Sequence, residues 1–216
     1  MHSPSIQLEY LIPEYLEKEK LERSQVWNTR LSIRKGERLQ IVAPSGSGKT
    51  SLVHMVYGLR NDFSGEVLCD GKSLKTFTTD DLAAWKKNRI SVVFQDLRLF
   101  PDQSAERNIE VKRVLQPYHT VSKVTEMAKR LGVFEKLRQH AQTCSYGEQQ
   151  RIAIIRALQQ PFDFLLLDEP FSHLDDRNAE NAWALIEEEC TARGATIIMI
   201  DLQEIPFYSA QRTLHL

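Results

Sequence analysis

The sequence predicts an α/β domain built around a mainly parallel β-sheet. Four predicted strands, at residues 37–43, 89–95, 162–170 and 195–202, alternate with stretches of helical periodicity, and the one at 162–170 is a continuous apolar run. Strands that are apolar on both faces are typical of parallel sheets covered by helices on both sides. The chain has 216 residues, of which 42% are hydrophobic and 26% charged, which suits a single soluble globular domain with a sizeable core.

Two further strands are predicted near the N-terminus, at residues 6–12 and 27–33, because apolar residues alternate along both segments. The charged stretch between them, residues 13–25, is expected to be an exposed loop. In the first strand, the residues that share one face are Ile6, Leu8, Tyr10 and Ile12.

Helical spacing follows at residues 49–59 and again at residues 78–88, where capping residues precede the apolar pattern. Residues 64–74 resemble a strand and a turn. Residues 96–160 are mainly helical in pattern and contain no convincing strand. A last helix is expected at residues 178–194, ended by its terminal glycine.

Composition excludes several classes of protein. The chain has 28 Lys and Arg against 29 Asp and Glu, a net charge of −1, which argues against nucleic acid as a partner. No apolar run approaches the roughly 18 residues that a membrane helix needs. The N-terminal residues lack the pattern of a signal peptide, and the three scattered cysteines suit a reducing compartment. We therefore expect a cytoplasmic protein that reaches a membrane only through a partner.

The segment "APSGSGKT", residues 43–50, follows a predicted strand, precedes a predicted helix and matches a phosphate-binding loop, with alanine in place of the first glycine. Gly46 and Gly48 let consecutive backbone N–H groups face a phosphate at the helix N-terminus. Lys49 is expected to reach the β and γ phosphates and Thr50 to hold Mg²⁺. On this motif alone the nucleotide is ATP or GTP. The predicted nucleotide-binding residues of the loop are Ser45, Gly46, Ser47, Gly48, Lys49 and Thr50.

Two carboxylates end the apolar strand at 162–170. Asp168 is the predicted metal ligand, directly or through water, and Glu169 the predicted catalytic base or water-positioning residue. Two acids can also simply end a strand, but a preceding phosphate loop favours the catalytic interpretation.

A second stretch suited to phosphate, "CSYGEQQR" at residues 144–151, follows about a hundred residues later. Together with the phosphate loop, "VFQ" at 93–95, "LLLDEP" at 165–170 and "SHLD" at 172–175, this order of motifs resembles the ATP-binding-cassette (ABC) ATPases over nearly the whole chain. The resemblance implies that Ser145 and Gly147 contact ATP held by a second nucleotide-binding subunit, which explains two phosphate sites in one chain.

The same resemblance implies roles for three more residues. Gln95 would contact Mg²⁺ or the attacking water and sense a membrane partner, which makes it a metal ligand and a catalytic residue. Asp175 would lie at the dimer interface. Tyr15 would place its ring on adenine, although a plain surface tyrosine is the alternative. The cofactors implied are ATP and Mg²⁺.

The fold that the resemblance implies is a P-loop NTPase (RecA-like) core with a mainly parallel sheet, an N-terminal antiparallel β part and an inserted α-helical subdomain. Residues 1–216 would form a single nucleotide-binding domain, with its core at about 1–95 and 161–216 and the helical subdomain at about 96–160.

Departures from the family pattern predict altered kinetics. Tyr146 replaces the first glycine of the second motif, and Cys144 replaces a leucine. Leu202 stands where the family has a histidine that holds the γ-phosphate. Loss of one transition-state donor costs roughly 10²–10³ in rate, so we expect slow or partner-dependent hydrolysis. His173 either compensates for that loss or is ordinary variation.

Within the family, two segments most resemble the ATPases of lipoprotein release, macrolide efflux and cell division: "VVFQDLRLFPDQSAERNIEV" at residues 92–111 and "LDDRNAENAW" at residues 174–183. We therefore expect an ATP-hydrolysing subunit of a transporter or mechanotransmission complex, on the cytoplasmic face of the inner membrane, with a permease-type partner. The second nucleotide-binding subunit is another copy of this chain or a related cassette. An ATP-gated dimerisation switch without transport is the alternative. A DNA-repair or translation cassette, or a nucleotide kinase, fits the sequence less well.

Overall fold

The computed structural model describes residues 5–216, so the first four residues of the predicted domain lie outside it. The strands of this part are β1 (Ser5–Pro13), β2 (Arg30–Arg34), β3 (Arg38–Val42), β4 (Phe63–Cys69), β5 (Lys72–Ser73), β6 (Ile90–Val93), β7 (Phe164–Asp168), β8 (Thr196–Asp201) and β9 (Arg212–His215). The α-helices are α1 (Lys18–Arg23), α2 (Lys49–Val56), α3 (Thr79–Asn88), α4 (Ala105–Leu115), α5 (Val121–Arg130), α6 (Tyr146–Ala157) and α7 (Asp176–Arg193).

The predicted parallel sheet is confirmed, with five strands in the order β6-β7-β8-β3-β9. Strand β7, inside this sheet, is covered on both faces. Leu165 and Leu167 of β7 belong to the core cluster formed with α6 and α7, whereas Phe164 and Leu166 belong to the cluster formed with α2. Because these strands are parallel, the segments after β3, β6, β7 and β8 all emerge at one edge of the sheet.

The N-terminal strands form the antiparallel sheet β2-β1-β4-β5, but β1 does not keep one face throughout. Tyr10 has a φ of 51° and is exposed, and the pairing of β1 with β4 shifts register there. This β-bulge turns Leu11 into the core in place of Tyr10. The prediction that Tyr10 and Ile12 share a face with Ile6 and Leu8 is therefore wrong.

Two other expectations for the N-terminal region need correction. The charged segment 13–25 is not only a loop, because it contains the short helix α1. The second strand begins at Arg30 rather than at Trp27. Trp27 is buried in the turn before the strand, where its indole faces the phosphate loop.

Residues 96–160 contain α4, α5 and α6, and the described part has no strand there beyond an isolated bridge between Ser104 and His140. That this segment is a separate subdomain stays a prediction. Over residues 5–216, we find no helix with the length and apolar character that crossing a membrane requires.

Candidate functional site

The phosphate loop curls between β3 and α2. Gly46 and Gly48 both adopt positive φ, at 75° and 96°, a region that other residues reach only with strain. Lys49 opens helix α2 directly after the second of these glycines. The loop thus presents the start of a helix to the same sheet edge that β7 reaches, as an anion site requires.

Trp27 braces this loop, and no motif in the sequence identified it. Its indole Nε1 donates to the carbonyl oxygen of Ser47 at 3.0 Å. A side chain at Gly48 would begin 3.0 Å from the Trp27 ring. The helix α1 adds a contact from outside, since the Lys20 ammonium donates to the Gly46 carbonyl oxygen at 3.2 Å.

Asp168 is fully buried at the end of β7, and neither of its carboxylate oxygens has a hydrogen-bond partner within the described residues. Burial raises the pKa of this carboxyl to about 6, with Lys49 opposing the rise. A buried carboxylate without a partner is costly unless a cation meets it. Asp168 is thus suited to bind a metal ion.

Glu169 pairs with the Lys49 ammonium, and both side chains are buried. Its backbone has a φ of 47°, which is unusual for a residue other than glycine. Hydrogen bonds to the Glu169 backbone hold this conformation. Its N–H donates to the Ile200 carbonyl at 2.9 Å, and its carbonyl accepts from the Gln150 side-chain amide at 3.0 Å and from the Ser172 hydroxyl at 3.1 Å. The strained turn therefore aims the Glu169 carboxylate at the phosphate loop.

Gln95 follows β6 and reaches the same place. Its side-chain oxygen lies 3.5 Å from the Thr50 hydroxyl. The Thr50 hydroxyl, the Gln95 amide oxygen and the buried Asp168 carboxylate are oxygen donors of the kind that Mg²⁺ prefers. These residues fit the predicted metal.

An open cleft of about 440 Å³ lies over this cluster. The structure thus brings together residues that are far apart in the sequence, at one edge of the parallel sheet. Leu202, at the cleft, has 46% of its surface exposed. The residues lining the cleft are Tyr15, Ser45, Gly46, Gly48, Lys49, Thr50, Ser51, Gln95, Glu169 and Leu202.

The family profile of the ABC transporters matches residues 26–172, which include the phosphate loop, Gln95 and both carboxylates. The chain belongs to the ABC transporter family. It is 33% identical over 216 residues to the macrolide export ATP-binding/permease protein MacB of Nitrosomonas europaea, a match that covers 99% of this chain and 33% of that protein. The cassette thus spans about a third of the length of that curated relative.

Solved structures give the same result. The dimeric structure of a bacterial ABC transporter cassette matches with a TM-score of 0.78 and 26% identity, over 92% of this chain and 88% of that one. A dimeric post-hydrolysis state of the same cassette, bound to ADP and Pi, matches with a TM-score of 0.83 and 26% identity, over 98% and 94%. The P-loop NTPase fold and the resemblance to the macrolide-efflux subgroup are therefore confirmed.

Tyr15 lies at the rim of the cleft of the cassette. Its hydroxyl donates to Ser51 Oγ at 2.5 Å, and the Arg60 guanidinium lies 5.1 Å from its ring centroid. Its ring is half-exposed. A role on adenine stays a prediction for this tyrosine.

Five of the predicted site residues do not line the cleft: Ser47, Ser145, Gly147, Asp168 and Asp175. Ser145 caps α6, where its hydroxyl accepts from the Glu148 N–H and its own N–H donates to the Glu148 carboxylate. Gly147 lies so close to the His173 carbonyl that an added Cβ would be 2.8 Å away. Asp175 caps α7 in turn. Ser145 and Asp175 are exposed, so their contacts with a second subunit stay a prediction.

Proposed function

We propose that this cassette binds and hydrolyses ATP as a subunit of an ABC transporter or mechanotransmission complex, and that ATP-dependent dimer closure drives a membrane partner. The observation that supports this most is the cleft, where the phosphate loop meets the Glu169 carboxylate. The adjoining Asp168 carboxylate is buried at the end of β7 and has no hydrogen-bond partner among the described residues. That set of groups serves phosphoryl transfer to water.

Nucleotide binding would rearrange the charges of the cleft. Without nucleotide, the Lys49 ammonium is neutralised by Glu169. The β and γ phosphates compete for Lys49, because backbone N–H groups of the loop hold them beside it. Release from Lys49 leaves the Glu169 carboxylate free to accept a proton from the attacking water. The base is thus paired with Lys49 until ATP arrives.

Thr50, Gln95 and Asp168 would hold Mg²⁺, which neutralises charge on the phosphate oxygens when bound. Lys49 then stabilises the negative charge that develops on the transferred phosphoryl group. Tyr15 would stack on the adenine.

A partner subunit, in the simplest case a second copy of this chain, would bind the second ATP. Ser145 and Gly147 lie at the N-terminus of α6, where a hydroxyl and free amides suit the γ-phosphate of that subunit. The solved relatives named above are dimers. A permease-type subunit would then place the cassette at the cytoplasmic face of the inner membrane.

Leu202 favours a second candidate, an ATP-gated dimerisation switch with weak hydrolysis and no transport role. Its side chain lines the cleft but cannot donate a hydrogen bond to the γ-phosphate. The cassette would then remain closed on ATP for long periods.

Steady-state phosphate release and ATP-dependent dimerisation of the purified chain test both candidates, with Glu169→Gln as the control. Hydrolysis that the substitution abolishes, with dimerisation retained, supports the proposed ATPase. Tight ATP-dependent dimerisation with negligible turnover, even with the membrane partner present, supports the switch. Failure of the unaltered chain to bind ATP would contradict both.

A further inference from the structure

Tyr146, which replaces a glycine of the family motif, makes a contact that glycine cannot make. Its hydroxyl donates to the backbone carbonyl oxygen of Gln95 at 3.2 Å. Its ring also packs beside the His173 ring, with the two centroids 4.1 Å apart. The first residue of α6 is therefore tied to the segment that carries Gln95.

Helix α6 holds that segment at a second point. Leu97 and Arg98 both have positive φ, at 56° and 48°. Arg156, near the other end of α6, donates to the carbonyl oxygens of both residues. The turn after Gln95 is thus kept in a strained conformation by one end of the helix, while Tyr146 holds Gln95 itself from the other end.

Gln95 in turn faces the cleft, with its amide oxygen 3.5 Å from the Thr50 hydroxyl. The position of the Gln95 side-chain amide in the cleft depends on the position of the Gln95 main chain. A displacement of Gln95 on the order of 1 Å is enough to weaken a metal contact or a catalytic hydrogen bond severely.

We propose that Tyr146 is a positioning residue for Gln95: its hydroxyl holds the Gln95 main chain so that the side-chain amide meets Thr50 and the metal. The inference rests on the proposed function and deepens it. It links the start of α6, which would contact the nucleotide of the second subunit, to the chain's own cleft. Movement of α6 is thereby transmitted to Gln95 through a side chain that the family motif lacks.

Tyr146→Phe tests the proposal because it removes the hydroxyl and keeps the ring against His173. Tyr10→Phe is the matched control, since Tyr10 is exposed to a similar extent, 47% against 43%, and lies on the antiparallel sheet. In a Glu169→Gln background, the dissociation constant of ATP is measured with Mg²⁺ and with EDTA. We expect Tyr146→Phe to reduce the gain in affinity from Mg²⁺ roughly 3- to 10-fold, the equivalent of one hydrogen bond, and to leave the EDTA value unchanged.

Two further measurements separate positioning from general damage. Amide hydrogen exchange at residues 95–98 of the nucleotide-free chain should accelerate in Tyr146→Phe and not in Tyr10→Phe. In a Gln95→Ala background, Tyr146→Phe should have no additional effect on the Mg²⁺ dependence, because it acts through Gln95.

An unchanged Mg²⁺ dependence in Tyr146→Phe would overturn the inference, as would an equal loss of affinity in EDTA. The inference would also be overturned if Tyr146→Phe changed the Mg²⁺ dependence equally in the Gln95 and Gln95→Ala backgrounds. Absence of ATP binding by the chain with Tyr146 intact would instead overturn the proposed function, and this inference with it.

Discussion

Replacing Asp168 with asparagine should stabilise the nucleotide-free cassette near neutral pH while abolishing Mg²⁺-dependent hydrolysis. Burial, reinforced by Glu169 and Asp201 and opposed by Lys49, raises the pKa of Asp168 from 3.8 to about 6. A displacement of this size means that the ionised carboxylate destabilises the folded state by about 3 kcal/mol. Asparagine has a similar shape without the charge.

The stability gained by Asp168→Asn should increase with pH. Because the folded pKa lies above the unfolded value, the cost is absent well below pH 4, grows between 3.8 and about 6, and is complete above that. Urea unfolding in EDTA, without nucleotide, measures the free energy of unfolding of both proteins. The stability of Asp168→Asn relative to the unaltered cassette should increase by roughly 1.4 kcal/mol between pH 5 and pH 8. Unmet hydrogen bonds of the asparagine amide change the free energy of unfolding by the same amount at every pH. The slope of the stability difference against pH therefore reports the Asp168 charge alone.

Asp175→Asn is the matched control for this experiment. The Asn178 backbone N–H lowers the pKa of the exposed Asp175 carboxyl, so its charge stabilises the folded state as pH rises. Between pH 5 and pH 8 this carboxyl is ionised in both the folded and the unfolded state, so the relative stability of Asp175→Asn should stay constant there and change only at more acidic pH. A flat or reversed slope for Asp168→Asn would refute the reasoning that its carboxylate is buried at a cost.

Three other substitutions test separate parts of the structure. Leu202→His should raise the rate of phosphate release roughly 10²–10³-fold, because it restores a donor near the γ-phosphate; an unchanged rate would contradict this. Trp27→Phe removes the indole N–H that holds the phosphate loop, so calorimetry should show ATP affinity several-fold weaker, by about 1 kcal/mol. An unaltered ATP affinity would mean that Trp27 contributes packing but that its N–H does not support nucleotide binding. Glu189→Gln should destabilise the fold by about 3 kcal/mol, because Glu189 accepts from His119 and Arg193 in the interior.

The pH profile provides a second readout for Glu189. Hydrogen bonds from His119 and Arg193 outweigh burial and lower its pKa from 4.5 to about 2. A lowered folded pKa contributes stability above pH 4.5 that is lost as pH falls towards 2. The Gln variant should lack this acid-dependent loss in urea unfolding, and an identical pH profile would contradict the assignment.

The sequence was sufficient for the parallel sheet because β7 and β8 are apolar on both faces, as is typical of strands that helices cover on both sides. It was not sufficient for β1. The bulge at Tyr10 depends on Gly65 of β4, whose missing side chain lets the Tyr10 carbonyl approach to within 2.2 Å of the position a Cβ would occupy. A contact between strands more than fifty residues apart leaves no periodicity in either strand.

The same distinction applies to the site. The loop residues and the carboxylate pair were predictable because each group lies within a few neighbouring residues of one strand end. The braces were not, because Trp27 and Gln150 act on backbone carbonyls of distant segments. A side chain that donates to a carbonyl imposes no residue type on its partner, so no motif records the pair. These pairs become visible only in the structure, as buried side chains whose N–H groups donate to backbone carbonyls.

Two unfavourable features coincide at the end of β7: the positive φ of Glu169, and the buried Asp168 carboxylate, which has no hydrogen-bond partner among the described residues. Each destabilises the folded chain, and strain of this kind persists only where the surrounding structure enforces it. Gln150 enforces the turn at Glu169 from α6, the helix whose first residue, Tyr146, also holds Gln95. One helix therefore fixes the segments after both β6 and β7. A ligand that meets the N-terminus of α6 would act on the Gln95 and Glu169 sides of the cleft together.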